Sequence, residues 1–194
     1  MITHIDGILE EKNPAYTIID VNGMGYILHI SLNTFSDLPE KGRVRLFSHL
    51  SIREDAHVLF GFSTKAEREM FRHLISVSGV GPSTARMVLS GMTASECASA
   101  IVSEDVATFK SVKGIGAKTA ERVIVDLKDK VSGDLIVGEK LSSSSNTIKN
   151  EALTALVVLG VDKKRAEKII ADAFKNHGDD LSVEDLVKIT LKSL

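Results

Sequence analysis

Two short stretches of this chain carry residue types whose spacing could do chemistry. LISVSGVGPSTARMVLS, starting at Leu74, and FKSVKGIGAKTAERVIV, starting at Phe109, align when one is shifted by 35 positions. Ser76 then falls on Ser111, Val77 on Val112, Gly79 on Gly114, Gly81 on Gly116, Thr84 on Thr119, Ala85 on Ala120 and Val88 on Val123. Each copy reads as an apolar helix end, a glycine, an aliphatic residue, a second glycine, and a new helix with Ser or Thr in its first turn, so one small unit is present twice. A helix start presents N–H groups that have no intrahelical acceptor, together with the positive end of the helix dipole, and so attracts an anion. Glycines on either side of Val80 and Ile115 permit positive φ and let a phosphate approach the backbone without meeting a Cβ. The aliphatic residue between them can turn inward and pin the two helices together. The residues expected to meet nucleic acid are therefore Gly79, Val80, Gly81, Pro82 and Ser83 in the first copy, and Gly114, Ile115, Gly116, Ala117, Lys118, Thr119 and Arg122 in the second.

This is the logic of a helix-hairpin-helix element, and two side by side could hold the two backbones that flank a duplex minor groove. A single glycine-aliphatic-glycine turn is ordinarily a plain helix connection; the duplication and the local charge make the case. The whole chain carries 24 Lys and Arg against 26 Asp and Glu, so any polyanion footprint must be local. Residues 1–63 hold 5 basic and 8 acidic side chains, residues 64–132 hold 10 and 8, and residues 133–194 hold 9 and 10. Only the middle is net positive, and Lys110, Lys113, Lys118 and Arg122 gather at the second hairpin, whereas the first has Ser83 and Met87 at the positions of Lys118 and Arg122. Phosphate contacts position a protein without reading sequence, and no helix here offers Arg, Asn or Gln as a base-reading set, so the expected binding is by structure.

Competing chemistries fail on particular residues. A Walker loop needs Gly before its Lys, where Ala117 stands, and a dinucleotide fingerprint needs a third glycine, where Thr84 or Thr119 stands. The histidines at 4, 29, 49, 57, 73 and 177 lack ligand spacing, and the single Cys97 makes neither an internal disulfide nor a paired-cysteine metal site. No cofactor and no metal are expected. Lys118 with Asp126 could imitate a glycosylase pair, but Asp126 falls on a helix face that should meet solvent. Arg53-Glu54-Asp55-Ala56 reads as a polar turn between strands.

The elements that must position these residues follow from periodicity. Ile2–Leu9, Tyr16–Val21, Tyr26–Ile30, Val44–Leu50 and His57–Phe62 are short runs rich in Ile, Val, Tyr and Phe, separated by turn residues, with Asn22-Gly23 suited to a tight primed hairpin. Five such strands suggest an OB-like barrel. At Thr64 the period changes: Thr64-Lys65-Ala66-Glu67 and Thr93-Ala94-Ser95-Glu96 have the form of capping boxes, Ala66, Met70, Leu74 and Val77 recur at helical spacing, and Ser103 can cap a short helix toward Phe109. Pro82 suits a first helical turn, Gly91 a helix end, and Ala120, Val123, Ile124, Leu127 and Val131 a further stripe. Residues 133–146 include four consecutive serines and read as a flexible linker. Glu151–Leu159, Lys163–Phe174 and Val183–Leu194 read as a three-helix bundle, with Asp162 and Ser182 as caps.

The fold class is thus α+β multidomain: an OB-fold domain over 1–63, a tandem helix-hairpin-helix domain over 64–132, a linker over 133–146 and a three-helix domain over 147–194. Cores of about 60 residues are marginal alone, so assembly is expected to help. No signal peptide or membrane span is expected, and a reducing cytoplasm fits.

Taken together, SIREDAHVLFGF, the tandem GVGPSTA and GIGAKTAERVIVDLKDK, the serine-rich segment and EALTALVVLGV resemble the RuvA family of bacterial Holliday junction DNA-binding proteins over nearly the whole chain. The resemblance implies a non-catalytic subunit that forms a four-fold tetramer, able to pair into an octamer, and holds a four-way DNA junction open and square. The hexameric ATPase RuvB then pumps the arms and RuvC resolves the crossover, in recombination and repair. It places Glu54 and Asp55 on an acidic pin that guides strand separation, Gly79, Gly81, Gly114 and Gly116 on the hairpin glycines, and Lys118 and Arg122 on phosphate contacts. Leu156, Leu159 and Val161 fall on the apolar surface that docks to RuvB. Three positions depart from the family's pattern: Ser83 and Ala117 stand where lysines are common, which weakens the expected phosphate grip, and Val161 stands where some members carry an aromatic.

Overall fold

The computed structural model describes residues 2–139, 144–177 and 181–192. They belong to two compact units, Met1–Ser132 and Gly133–Leu194. In the first, β1 (His4–Lys12), β2 (Tyr16–Val21), β3 (Met24–Ile30), β4 (Gly42–Ile52) and β5 (His57–Phe62) close a barrel in the order β1-β2-β3-β5-β4. The β3–β5 pair is parallel, with Leu28 opposite Leu59, and the others are antiparallel. Alternate side chains point inward, so Ile5, Leu9, Ile19, Leu28, Ile30, Val44 and Leu46 fill the barrel. Asn22 and Gly23 both take positive φ, 53° and 89°, as the primed turn between β2 and β3 requires. The expected OB-like barrel is present.

One element within the barrel escapes strand periodicity. Helix α1 (Leu32–Asp37) connects β3 to β4, and the Ser31 hydroxyl caps it by accepting the Thr34 N–H at 3.0 Å. Beyond the barrel come α2 (Lys65–Ile75), α3 (Pro82–Gly91), α4 (Ala94–Val102), α5 (Val106–Lys110) and α6 (Ala117–Glu139). The capping box at Thr93 and Glu96 is complete in both directions. The one at Thr64 is half made: Thr64 accepts the Glu67 N–H, but the Glu67 carboxylate turns away from the cap, is buried, and accepts hydrogen bonds from Ser31 and from Thr34, the latter at 2.6 Å. Glu67 thus takes the buried place on α2 that the apolar spacing assigns to Ala66, which is exposed. Ser103 closes α4 rather than opening the next helix; Asp105 caps α5, its carboxylate accepting the Thr108 N–H at 3.1 Å.

The barrel keeps its own core, and its β5 phenylalanines join the separate core of the helical tandem. Phe60 and Phe62 of β5 stack on Phe71 of α2 with ring centroids 5.0 and 4.9 Å apart, and the apolar cluster runs on through Leu74, Val77, Val88, Ile101, Phe109, Val123 and Leu127. Two pieces too small to bury much surface separately are thereby joined. Polar contacts lock the same seam. The Asn33 side-chain amide donates to the carbonyls of Leu89, at 2.7 Å, and Met92, at 3.1 Å, which satisfies orphan acceptors at the end of α3.

In the second unit, α7 (Ser144–Val158), α8 (Lys163–His177) and α9 (Val183–Lys192) form the expected three-helix bundle. Its core is Ala152, Leu156, Ala166, Ile170, Ala173, Phe174 and Leu186. Asp162 and Ser182 cap α8 and α9, accepting the Arg165 and Asp185 N–H groups at 3.0 and 3.1 Å. Helix α6 runs to Glu139 and α7 begins at Ser144, so helix enters from both sides the segment 133–146 that composition reads as a linker. No proline lies there to interrupt propagation of a helix already nucleated at Ala117. Lys140–Ser143 fall outside the described residues.

Candidate nucleic-acid interface

The two hairpins are built bond for bond alike. The Val80 N–H donates to the Val77 carbonyl at 3.0 Å and the Ile115 N–H to that of Val112 at 3.1 Å; the Ala85 and Ala120 N–H groups reach the Gly81 and Gly116 carbonyls, both at 2.9 Å. The Ser76 and Ser111 hydroxyls each donate to a carbonyl three residues back at 2.7 Å. Val80 and Ile115 are buried, 5% and 6% exposed, pinning each pair of helices from inside. Gly79 and Gly114 have φ of 94° and 95°, a region costly for any residue with a Cβ. Gly81 is extended, φ −84°, and Gly116 is not among the positive-φ residues, so the expectation of positive φ at both glycines of each pair holds for the first only. The second glycine borders open space: nothing lies within 4 Å of where a Cβ would stand on Gly81 or Gly116.

The hairpins face each other reciprocally. A Cβ on Gly79 would stand 3.6 Å from the Thr119 hydroxyl, and one on Gly114 would stand 3.9 Å from that of Thr84. Arg122 crosses the pair, its guanidinium 3.5 Å from the Ser78 carbonyl. Helix starts at Pro82 and Ala117 therefore lie side by side, each opening its unpaired N–H groups beyond an exposed glycine. Ser83, Ala117, Lys118 and Arg122 are exposed, and Pro82 and Thr119 half-buried. Lys110, Lys113 and Lys118 are exposed and make no ion pair with any described residue; Lys128, by contrast, is engaged by Glu104. The surface is a pair of amide-lined notches beside unneutralised cations.

Glu54 and Asp55 are exposed at the turn between β4 and β5, which is closed by the Arg53 N–H donating to the Ala56 carbonyl at 2.9 Å. Neither carboxylate is paired with a described residue. The turn adjoins the first hairpin, since Arg53, Ser51 and His29 line the same cleft as Pro82, Ser83 and Arg86. Asp126 is exposed on α6, eight residues from Lys118, roughly 12 Å along a helix axis, so the glycosylase-like pair is not assembled. Among the described residues no group of His, Cys, Asp or Glu is arranged to hold a metal ion. Burial pushes the Cys97 thiol up to about 12, far from a reactive thiolate.

Residues 1–61 match the family of the RuvA N terminal domain, and residues 71–129 match the SAM-like helix-hairpin-helix tandem. The chain is 53% identical over 194 residues to the Holliday junction branch migration complex subunit RuvA of Christiangramia forsetii, covering 100% of both chains. It is 48% identical to the proteins of the same name from Cytophaga hutchinsonii, over 99% of both, and Flavobacterium psychrophilum, over 100% of both. The chain belongs to the RuvA family.

In this RuvA-family chain, the residues expected to dock a motor do not share one surface. Leu159 is 61% exposed, Val161 is half-buried, and Leu156 is 0% exposed in the bundle core. Gly160, at φ 90°, ends α7, and the Val161 N–H returns to the Leu156 carbonyl at 3.0 Å. That reversal, a Schellman-type end, lifts Leu159 outward and leaves Leu156 beneath it. The expectation of Leu156 as a surface residue is corrected accordingly. Sequence reading also passed over Arg86 and Asn33; Arg86 could have been found from its place one turn after Ser83 on the same helix.

Among the described residues no helix is long and apolar enough to cross a membrane.

Proposed function

We propose that this chain binds four-way DNA junctions by their shape, without reading sequence, and holds them open for ATP-driven branch migration by a separate motor. The duplicated notch carries this reading: two helix starts with matching hydrogen bonds, set reciprocally and flanked by Lys110, Lys113 and Lys118, which pair with no described residue, suit two sugar-phosphate rails held at a fixed separation. The relatives bear the name of a subunit of the Holliday junction branch migration complex, which supports the same role here. In this reading the chain is non-catalytic, works in the cytoplasm as a homotetramer or a face-to-face octamer, and hands the junction to RuvB for migration and to RuvC for resolution. The exposed carboxylates of Glu54 and Asp55 repel phosphate at the crossover and keep strands apart. Residues 1–63 and 64–132 serve as barrel and hairpin domains, 133–146 as a tether, and 147–194 as the RuvB-docking bundle, with Leu159 and Val161 offering its apolar contact over the buried Leu156.

The test is a gel shift of the full chain on a synthetic four-way junction and on linear duplex of the same sequence. The expected outcome is strong preference for the junction, no strand cleavage on prolonged incubation without a motor or ATP, and a shallower salt dependence for Lys118→Ala by about one unit. Equal affinity for both DNAs would refute junction recognition, and cleavage would indicate an enzyme.

A further inference from the structure

Ser83 leaves the first hairpin without the cation that Lys118 gives the second, yet the fold brings two arginines to it. A cleft of about 220 Å³ opens between the barrel and the start of α3, lined by His29, Ser51, Arg53, Pro82, Ser83 and Arg86, and among the described residues no carboxylate lines it. Arg53 comes from the β4–β5 turn and Arg86 from α3, one helical turn after Ser83. The Arg86 guanidinium is half-buried and donates to the Ala15 carbonyl at 2.7 Å, a bond that uses one of its five donors and fixes the group. His29 stacks on Phe60 at 5.8 Å, and its imidazole is held below the ordinary histidine value, first by burial and then by the neighbouring Arg86 charge. A neutral imidazole and a hydroxyl beside two guanidinium groups make a donor-rich, cationic recess. The repeat position equivalent to Arg86 is Glu121, which is exposed, so the arginine is not an inherited part of the repeat. It occurs in the hairpin that packs on the barrel.

We propose that this cleft is a phosphodiester-binding subsite, in which Arg86, with Arg53, supplies the cationic grip that Ser83 does not, and seats one backbone phosphate of the DNA strand held at Gly79–Pro82. The inference rests on the reading that the hairpins hold DNA, and it adds the residues that complete the weaker one.

The experiment measures binding of the full-length protein to a four-way junction and to linear duplex across a salt series. Arg86→Gln removes the charge and, because its amide ends where the arginine Nε lies, also the bond that the guanidinium gives the Ala15 carbonyl, so thermal melting checks that the fold is retained. The expected result is several-fold weaker binding and a slope of log K against log salt lower by about one unit on both DNAs. Adding Ser83→Lys to Arg86→Gln is expected to restore the slope. Arg43→Gln, which changes a barrel arginine paired with Asp6, is expected to leave it unchanged. An unaltered slope for Arg86→Gln, or an equal loss from Arg43→Gln, would overturn the subsite. Should Arg86→Gln melt early, Arg53→Gln, at an exposed position, carries the same test. Because the slope is read on linear duplex too, loss of junction preference in the unmodified protein would count against the proposed function alone.

Discussion

In the proposed function the four hairpin glycines divide the work of a phosphate notch between conformation and access, and single substitutions should separate the two. Alanine at Gly79 or Gly114 must adopt φ near 94°, which costs about 1–3 kcal/mol, so both variants should unfold at lower denaturant. Alanine at Gly81 or Gly116 meets open space and should leave the unfolding midpoint nearly unchanged while weakening DNA binding, since its methyl occupies the approach of the phosphate. Equal effects of all four on stability would contradict this division. Glu67 makes a different prediction. Burial is the leading cause that raises its carboxyl above the ordinary glutamate range, against the hydroxyls of Ser31 and Thr34, which act to lower it. A raised folded-state value means that Glu67 contributes stability fully present below its unfolded value and lost as pH rises through the folded one. The stability of the unmodified protein relative to Glu67→Gln should therefore improve as pH is lowered from neutrality toward 4.5, as measured by denaturant midpoints at each pH.

Helix ends, rather than helix interiors, aim the chemistry. Thr93 and Glu96 satisfy each other's backbone donors reciprocally, and α4 supports the connection between the hairpins. Thr93→Ala should cost about 1 kcal/mol, read as a lower melting temperature, with junction affinity at low temperature retained because no phosphate contact is lost. At Thr64 the same sequence pattern is used otherwise: the cap receives one bond, and the glutamate instead ties α2 to α1. A capping box and a half-made one look alike in sequence because Glu67's alternative partners lie 36 and 33 residues away. The short α1 was missed for a related reason. Its six residues are too few to show a helical period, and its stability comes from the Ser31 cap and the Asn33 bonds to the end of α3.

At the scale of the whole chain, the two hairpins and the Glu54–Asp55 turn lie in Met1–Ser132, whose barrel and helical cores meet at the β5–α2 seam, and the bundle has a core of its own. Deleting residues 147–194 should therefore preserve binding to a four-way junction and abolish stimulation of a RuvB ATPase. A truncated protein that still stimulates the ATPase would place motor docking in the first unit. The barrel and tandem are expected to resist separation, because cutting between Ser63 and Thr64 would expose Phe60, Phe62 and Phe71 together and strip the β5–α2 seam of its apolar cover.

What this sequence determines by itself is whatever a few neighbouring residues can dictate. The doubled glycine turn, the primed hairpin at Asn22-Gly23, the strand alternation and the caps at Thr93, Asp162 and Ser182 are all legible, because dihedral freedom, side-chain period and local hydrogen bonding act over four or five positions. Family membership is legible for the same reason, in the motifs those local rules produce. Only the tertiary structure decides which distant groups become neighbours: that Glu67 is buried among hydroxyls from the barrel, that Leu156 lies beneath Leu159, and that Arg53 and Arg86 share a cleft with Ser83. Burial and charge proximity depend on how helices and barrel settle against one another, and no local pattern along the chain encodes that rotation.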